Sequence, residues 1–138
     1  MQSSTPRRRE LLLLAPFIIS AILPTASSAD EAKVKQLQKD RLDVLKQIVE
    51  DKERAFRNGG IPLSDCASAY QQMFEAELAI CADDAERIKV REKMLERAKA
   101  DEEIVSRLFR AGEARTWDHQ AAIARRLAIE IELERLKK

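Results

Sequence analysis

The chain has 138 residues, with 25 Lys or Arg against 24 Asp or Glu and a net charge of +1. That balance excludes the basic footprint of a nucleic-acid binder and an acidic tail, and 45% hydrophobic residues exclude a disordered chain. Three Gly and four Pro are too few to punctuate a many-stranded β-fold, so the composition favours long helices.

In chain order, the first feature is an export pattern. Arg7, Arg8 and Arg9 precede the apolar run Leu11 to Leu23, and Pro24-Thr25-Ala26-Ser27-Ser28-Ala29 follows. A positive start, a short apolar stretch and a small-residue exit form a secretory signal. Ser27 and Ala29 suit the −3 and −1 positions, which places the cut before Asp30. The run is shorter than the ~20 residues that span a bilayer, which disfavours the alternative of an uncleaved anchor. Pro6 stands where a twin-arginine signal has Ser or Thr, and no Cys lies near the cut as in a lipoprotein. Residues 1–29 are therefore expected to be a signal peptide and 30–138 one helical domain in the periplasm or cell envelope. Membrane contact is expected only through the signal segment, if it stays uncleaved. Without it, 22 basic and 23 acidic residues remain, a net charge of about −1.

The mature chain keeps four breakers, Gly59, Gly60, Pro62 and Gly112. Between them, Asp83 with Glu86 three residues on has the spacing of a capping box. These points predict helices over 31–57, 64–81, 84–110 and 116–137. Spacings of three, four and seven give each an apolar stripe. The first carries Leu42, Leu45, Val49 and Phe56, widened by Leu37, Val44 and Ile48; the second carries Cys66, Tyr70, Met73, Glu77 and Ile80. The third carries Ile88, Leu95, Ala98, Val105 and Phe109; the fourth carries Trp117, Ala121, Ala124, Ala128 and Ile131, with Leu127 alongside. Glu50 and Arg54 have the favourable i,i+4 order for an ion pair. Such helices must pack on one another to hold.

A shift of 53 residues aligns the halves without gaps. Leu42 meets Leu95, Arg54 meets Arg107, Phe56 meets Phe109, Arg57 meets Arg110, Gly59 meets Gly112 and Asp65 meets Asp118. The expected fold is all-α: two duplicated antiparallel hairpins, about 30–81 and 83–137, forming a coiled-coil-like four-helix bundle. In each turn the Gly is expected to take the left-handed conformation, the Arg to face the carbonyl pole and the Phe to cover the tip of the stripe. Ser64 or Asp65, and Thr116 or Asp118, are expected to cap the next helix.

The segments Phe56-Arg57-Asn58-Gly59-Gly60-Ile61-Pro62-Leu63-Ser64-Asp65 and Phe109-Arg110-Ala111-Gly112-Glu113-Ala114-Arg115-Thr116-Trp117-Asp118 continue into Ala69 and Glu77, and into Ala122 and Glu130. This pattern resembles the repeated helical element of TolC-type outer-membrane efflux proteins, over about residues 37 to 136. The resemblance implies a periplasmic structural or interaction protein, linked to efflux transport and acting through helix–helix contacts. Its partners would be further copies of itself or efflux components. Members of that family are several times longer and carry barrel strands. No alternating ten-residue strand occurs here, so the chain would correspond only to the soluble helical part. The alternative is an unrelated periplasmic helical-bundle adaptor or a chaperone-like binding module.

Catalytic chemistry is not expected. His119 is the chain's one histidine, without the ligand cluster of a metal site or the partners of a nucleophile. Gly59-Gly60 has no following Gly-Lys-Ser, so it is no phosphate loop. No cofactor is implied. Cys66 and Cys81 lie fifteen residues apart on one predicted helix, ~22 Å along its axis, which precludes an intrachain disulfide and leaves an intermolecular one to consider. Tyr70 and Trp117 are expected to be core or turn-covering aromatics.

Overall fold

The computed structural model describes residues 28–138. They form α1 (Ser28–Arg57), α2 (Leu63–Ile80), α3 (Asp84–Arg110) and α4 (Thr116–Leu136), with no strand among them. The protein is all-α. The expected signal segment lies outside the described residues except for Ser28 and Ala29, which begin α1, so the anticipated cut falls in its first turn.

The helices end as their residues dictate. At the end of α1 the Gly60 N–H donates to the Ala55 carbonyl (2.8 Å) and the Gly59 N–H to the Phe56 carbonyl (2.9 Å). At the end of α3 the Glu113 N–H donates to Leu108 (2.8 Å) and the Gly112 N–H to Phe109 (3.0 Å). Each pair is a six-to-one and five-to-two closure, which needs a left-handed residue past the helix end. Gly59 (φ 72°) and Gly112 (φ 75°) supply it. The same four donors and acceptors thus recur at the register of the sequence repeat. Arg54 and Arg57, and Arg107 and Arg110, fall in the last turns, at the carbonyl pole.

The helix starts differ from one another. Asp83 caps α3 by accepting from the Glu86 N–H at 2.8 Å, while Glu86 reaches back to the Ala82 N–H rather than to that of Asp83. The expected caps Ser64 and Thr116 do not form. The caps of α2 and α4 are Pro62 and Arg115, neither of which makes a side-chain cap bond. Pro62 has no N–H for a reach-back carboxylate to accept from, whereas Asp118 accepts from the Arg115 N–H at 3.2 Å. Asp65 sits in the first turn of α2, where its charge suits the helix pole.

Helix α1 lies along α2 and α3 along α4, giving two antiparallel hairpins that meet through α2 and α3. No Cα of α1 comes within 8 Å of one in α4, so the outer helices do not close a ring. Two apolar clusters hold the array. Leu42 and Leu45 pack with Ala76, bordered by Met73 and Ile80. Phe74 packs with Val90 and Met94, bordered by Tyr70, Leu78 and Ile129. Small buried residues on α2, namely Cys66, Ala67, Ala69 and Ala76, let its neighbours approach closely.

The predicted stripes are partly displaced. On α1, Leu42, Leu45 and Val49 are buried, but Leu37, Val44 and Ile48 are exposed. On α4 the buried residues are Ala122 and Leu133, with Ile129 half-buried, whereas Trp117, Ala121, Ala124, Leu127, Ala128 and Ile131 are all exposed, Ala121 and Ala128 at the mouths of cavities between the hairpins. α4 is apolar on two faces. The packed face is the one that also carries Arg126, whose guanidinium bridges Glu102 of α3 (2.5 Å) and Glu130 (2.8 Å). Arg54 pairs with Asp51 at i,i+3 rather than with Glu50.

Candidate functional site

The turn residues singled out by the repeat lie at one end of the molecule, where the hairpin tips meet. A cavity of about 320 Å³ separates them, lined by Phe56 and Leu63 of the first hairpin and Val105, Leu108 and Ala122 of the second. Phe56 is half-buried there. Phe109 points elsewhere and stacks on His119, ring centroids 5.0 Å apart. His119 Nε2 lies 2.9 Å from Ser106 Oγ, so the histidine ties α4 to α3. At the equivalent place in the first hairpin, the Cys66 thiol donates to the Lys52 carbonyl at 3.2 Å, tying α2 to α1. Arg57 reaches Glu53 at 3.9 Å. Trp117 is 59% exposed with the Arg115 guanidinium over its ring, so it is not a core aromatic.

The densest polar arrangement lies deeper, and the repeat does not point to it. Asp101 is 3% exposed, the one buried charged residue among those described. Its Oδ1 stands 2.9 Å from Arg97 Nε, and Arg97 Nη1 donates to Glu53 Oε1 at 2.9 Å. The Tyr70 hydroxyl donates to the same Glu53 oxygen, and the Arg97 guanidinium lies 3.9 Å above the Tyr70 ring. One arginine therefore gathers groups from α1, α2 and α3 where the two hairpins meet. The Tyr70 hydrogen bond holds the Glu53 carboxyl below the usual range, and Arg97 adds to it. Burial pushes Asp101 up, against the pull of Arg97 and Arg125. Burial and donation to Glu53 push Tyr70 to about 12.

A cavity of about 260 Å³ opens beside this node, between α2, α3 and α4. Phe74, Leu78, Met94 and Ile129 wall it, and Arg91, Arg97, Asp101 and Arg125 give it polar edges. A single charged residue on an amphipathic helix looks like any other, so sequence spacing gave little sign of these groups. The one available signal was Arg97 and Asp101 at i,i+4.

Among the described residues, Ser106 and His119 form the one hydroxyl–imidazole pair, and no carboxylate is hydrogen-bonded to the other ring nitrogen. Among the described residues, no group of three or more His, Cys, Asp or Glu could hold a metal ion, and no helix is long and apolar enough to cross a membrane. Both thiols are free; Cys66 is 1% exposed, which removes it as a partner for an intermolecular disulfide, and Cys81 is half-buried at the end of α2. Burial raises both thiol pKa values, away from the reactive thiolate.

The fold defines a class: an all-α, four-helix protein of two hairpins packed through their inner helices. No protein-family model matches the chain, and no curated protein or solved structure matches it.

Proposed function

We propose that this is an exported, non-enzymatic helical protein that acts through helix–helix contacts, in the manner of the periplasmic helical part of TolC-type efflux proteins. The observation that carries the interaction role is the apolar face left on each outer helix. Val34, Leu37, Val44 and Ile48 form one on α1, and Trp117, Leu127 and Ile131 form another on α4. Exposed apolar stripes at helical spacing suit association with further helices. The alanines between Trp117 and Ile131 would let a partner helix come close. The export reading is supported by the layout of residues 1–29, and the efflux reading by the turn pattern alone.

Two measurements test it. Light scattering on the mature chain is expected to give a mass above the monomer that falls on dilution; a strict monomer at all concentrations removes self-association. Copurification from the envelope with an inner-membrane pump or its adaptor is expected under the efflux reading. Export followed by recovery with other partners favours the adaptor or chaperone-like alternative.

A further inference from the structure

We propose that the cavity between the hairpins is a binding site for a small amphipathic carboxylate, with Arg91 as its anchor. Six described arginines, Arg41, Arg91, Arg107, Arg110, Arg115 and Arg125, have no carboxylate within 4 Å. Four of them are solvent-exposed, where water satisfies a guanidinium. The remaining two, Arg91 and Arg125, are half-buried, and both edge this cavity. Arg91 Nε is fully buried without an acceptor, and the only polar contact of its guanidinium is the weak one to Met94 Sδ at 3.9 Å. A buried donor without an acceptor loses its hydration without return; Nε has no surface open to the cavity, so a carboxylate, the group a guanidinium matches best, would take the terminal nitrogens of Arg91.

The rest of the cavity selects an apolar body. Phe74, Leu78, Met94 and Ile129 line it between Arg91 and the Arg97–Asp101 pair. Arg91 and Asp101 are ten residues apart on α3, ~15 Å along the axis. Asp101 Oδ1 and Arg97 Nε, also buried without hydrogen bonds, mark the far end. They lie 2.9 Å apart, so this end is already charge-paired. The rim carboxylates are engaged: Glu132 holds Arg135 at 2.6 Å and Glu75 takes the Gln71 amide at 3.0 Å. About 260 Å³ sits just below the size of pockets for drug-like ligands, which fits a medium-length alkyl or aryl carboxylate. The site lies between α2, α3 and α4 and meets the exposed face of α4 only at Ala128, so its failure leaves the interaction role standing.

Decanoate is the probe, titrated calorimetrically into the full mature chain, with decanol as the uncharged control. Methionine methyl signals report the place, since Met94 lines the cavity. Saturable one-to-one binding is expected, with the Met94 methyl shifted and decanol at least tenfold weaker. Arg91→Met is expected to weaken decanoate at least tenfold and leave decanol unchanged. Ala128→Trp, at the exposed mouth, is expected to block both without touching the buried core. Equal binding of decanol, affinity indifferent to both substitutions, or no binding at all overturns the proposal; the first two would mean uptake on the exposed apolar faces.

Discussion

Tyr70 joins the hairpins through a hydroxyl that donates to Glu53 and a ring that carries Arg97. Burial opposes a phenolate there first, and the hydrogen bond to the Glu53 carboxylate second, which together push its pKa to about 12. Unfolded, the phenol ionises near ~10. The folded chain therefore holds the proton more tightly between the two values, and stability must fall as pH rises through that window. Tyr70 is the one tyrosine of the chain, so absorbance of the phenolate reports it alone. Titration should give a midpoint well above 10, moved down by Glu53→Gln and by unfolding. Tyr70→Phe should remove its share of the alkaline loss of stability. A midpoint of 10 in the folded protein would mean that the bond to Glu53 does not persist. This node was not legible in the sequence. Glu53, Arg97 and Asp101 belong to helix faces where charge ordinarily means solvent, and only the approach of α1, α2 and α3 turns them inward.

Helix ends were the most legible elements, because their chemistry is local. Gly59 and Gly112 each take positive φ and close the same pair of hydrogen bonds, at equivalent places in the repeat. A Cβ at Gly112 would meet nothing within 4 Å, so substitution there is opposed by backbone conformation alone. Gly112→Ala should cost about 1–2 kcal/mol, the penalty of left-handed geometry for an L-residue. Gly112→Val should cost more, since a β-branched side chain tolerates positive φ least. Thermal melts of the two variants would check the order, and an unchanged melting temperature for both would place the end of α3 elsewhere. Helix faces were less legible than helix ends. On α4, the spacing of Trp117, Ala121, Ala124, Ala128 and Ile131 is as regular as that of Ala122, Ile129 and Leu133. Periodicity could not choose between them. Arg126, by reaching Glu102 across the hairpin, accompanies the second set inward and leaves the first outside.

At the scale of the molecule, two hairpins meet through their inner helices and leave each outer helix half-used. The consequence is a stability that depends on concentration. If copies associate through the free faces, assembly draws on the folded state only, so the melting temperature must rise with protein concentration. The residues responsible can be changed without entering the core. Leu127 and Ile131 are 44% and 52% exposed, and Val44 and Ile48 are 55% and 39% exposed. Replacing either pair by lysine should change the stability of the dilute monomer by no more than about 0.5 kcal/mol per substitution, as for surface substitutions generally. The same replacements should abolish the concentration dependence. Loss with the α4 pair alone would describe a symmetric contact between two α4 faces. Loss with either pair would describe α1 of one copy against α4 of the next, a head-to-tail contact that closes into a ring or runs on as a filament. Concentration dependence that survives both double substitutions would place the contact elsewhere, and a melting temperature independent of concentration in the parent would reserve these faces for a different partner.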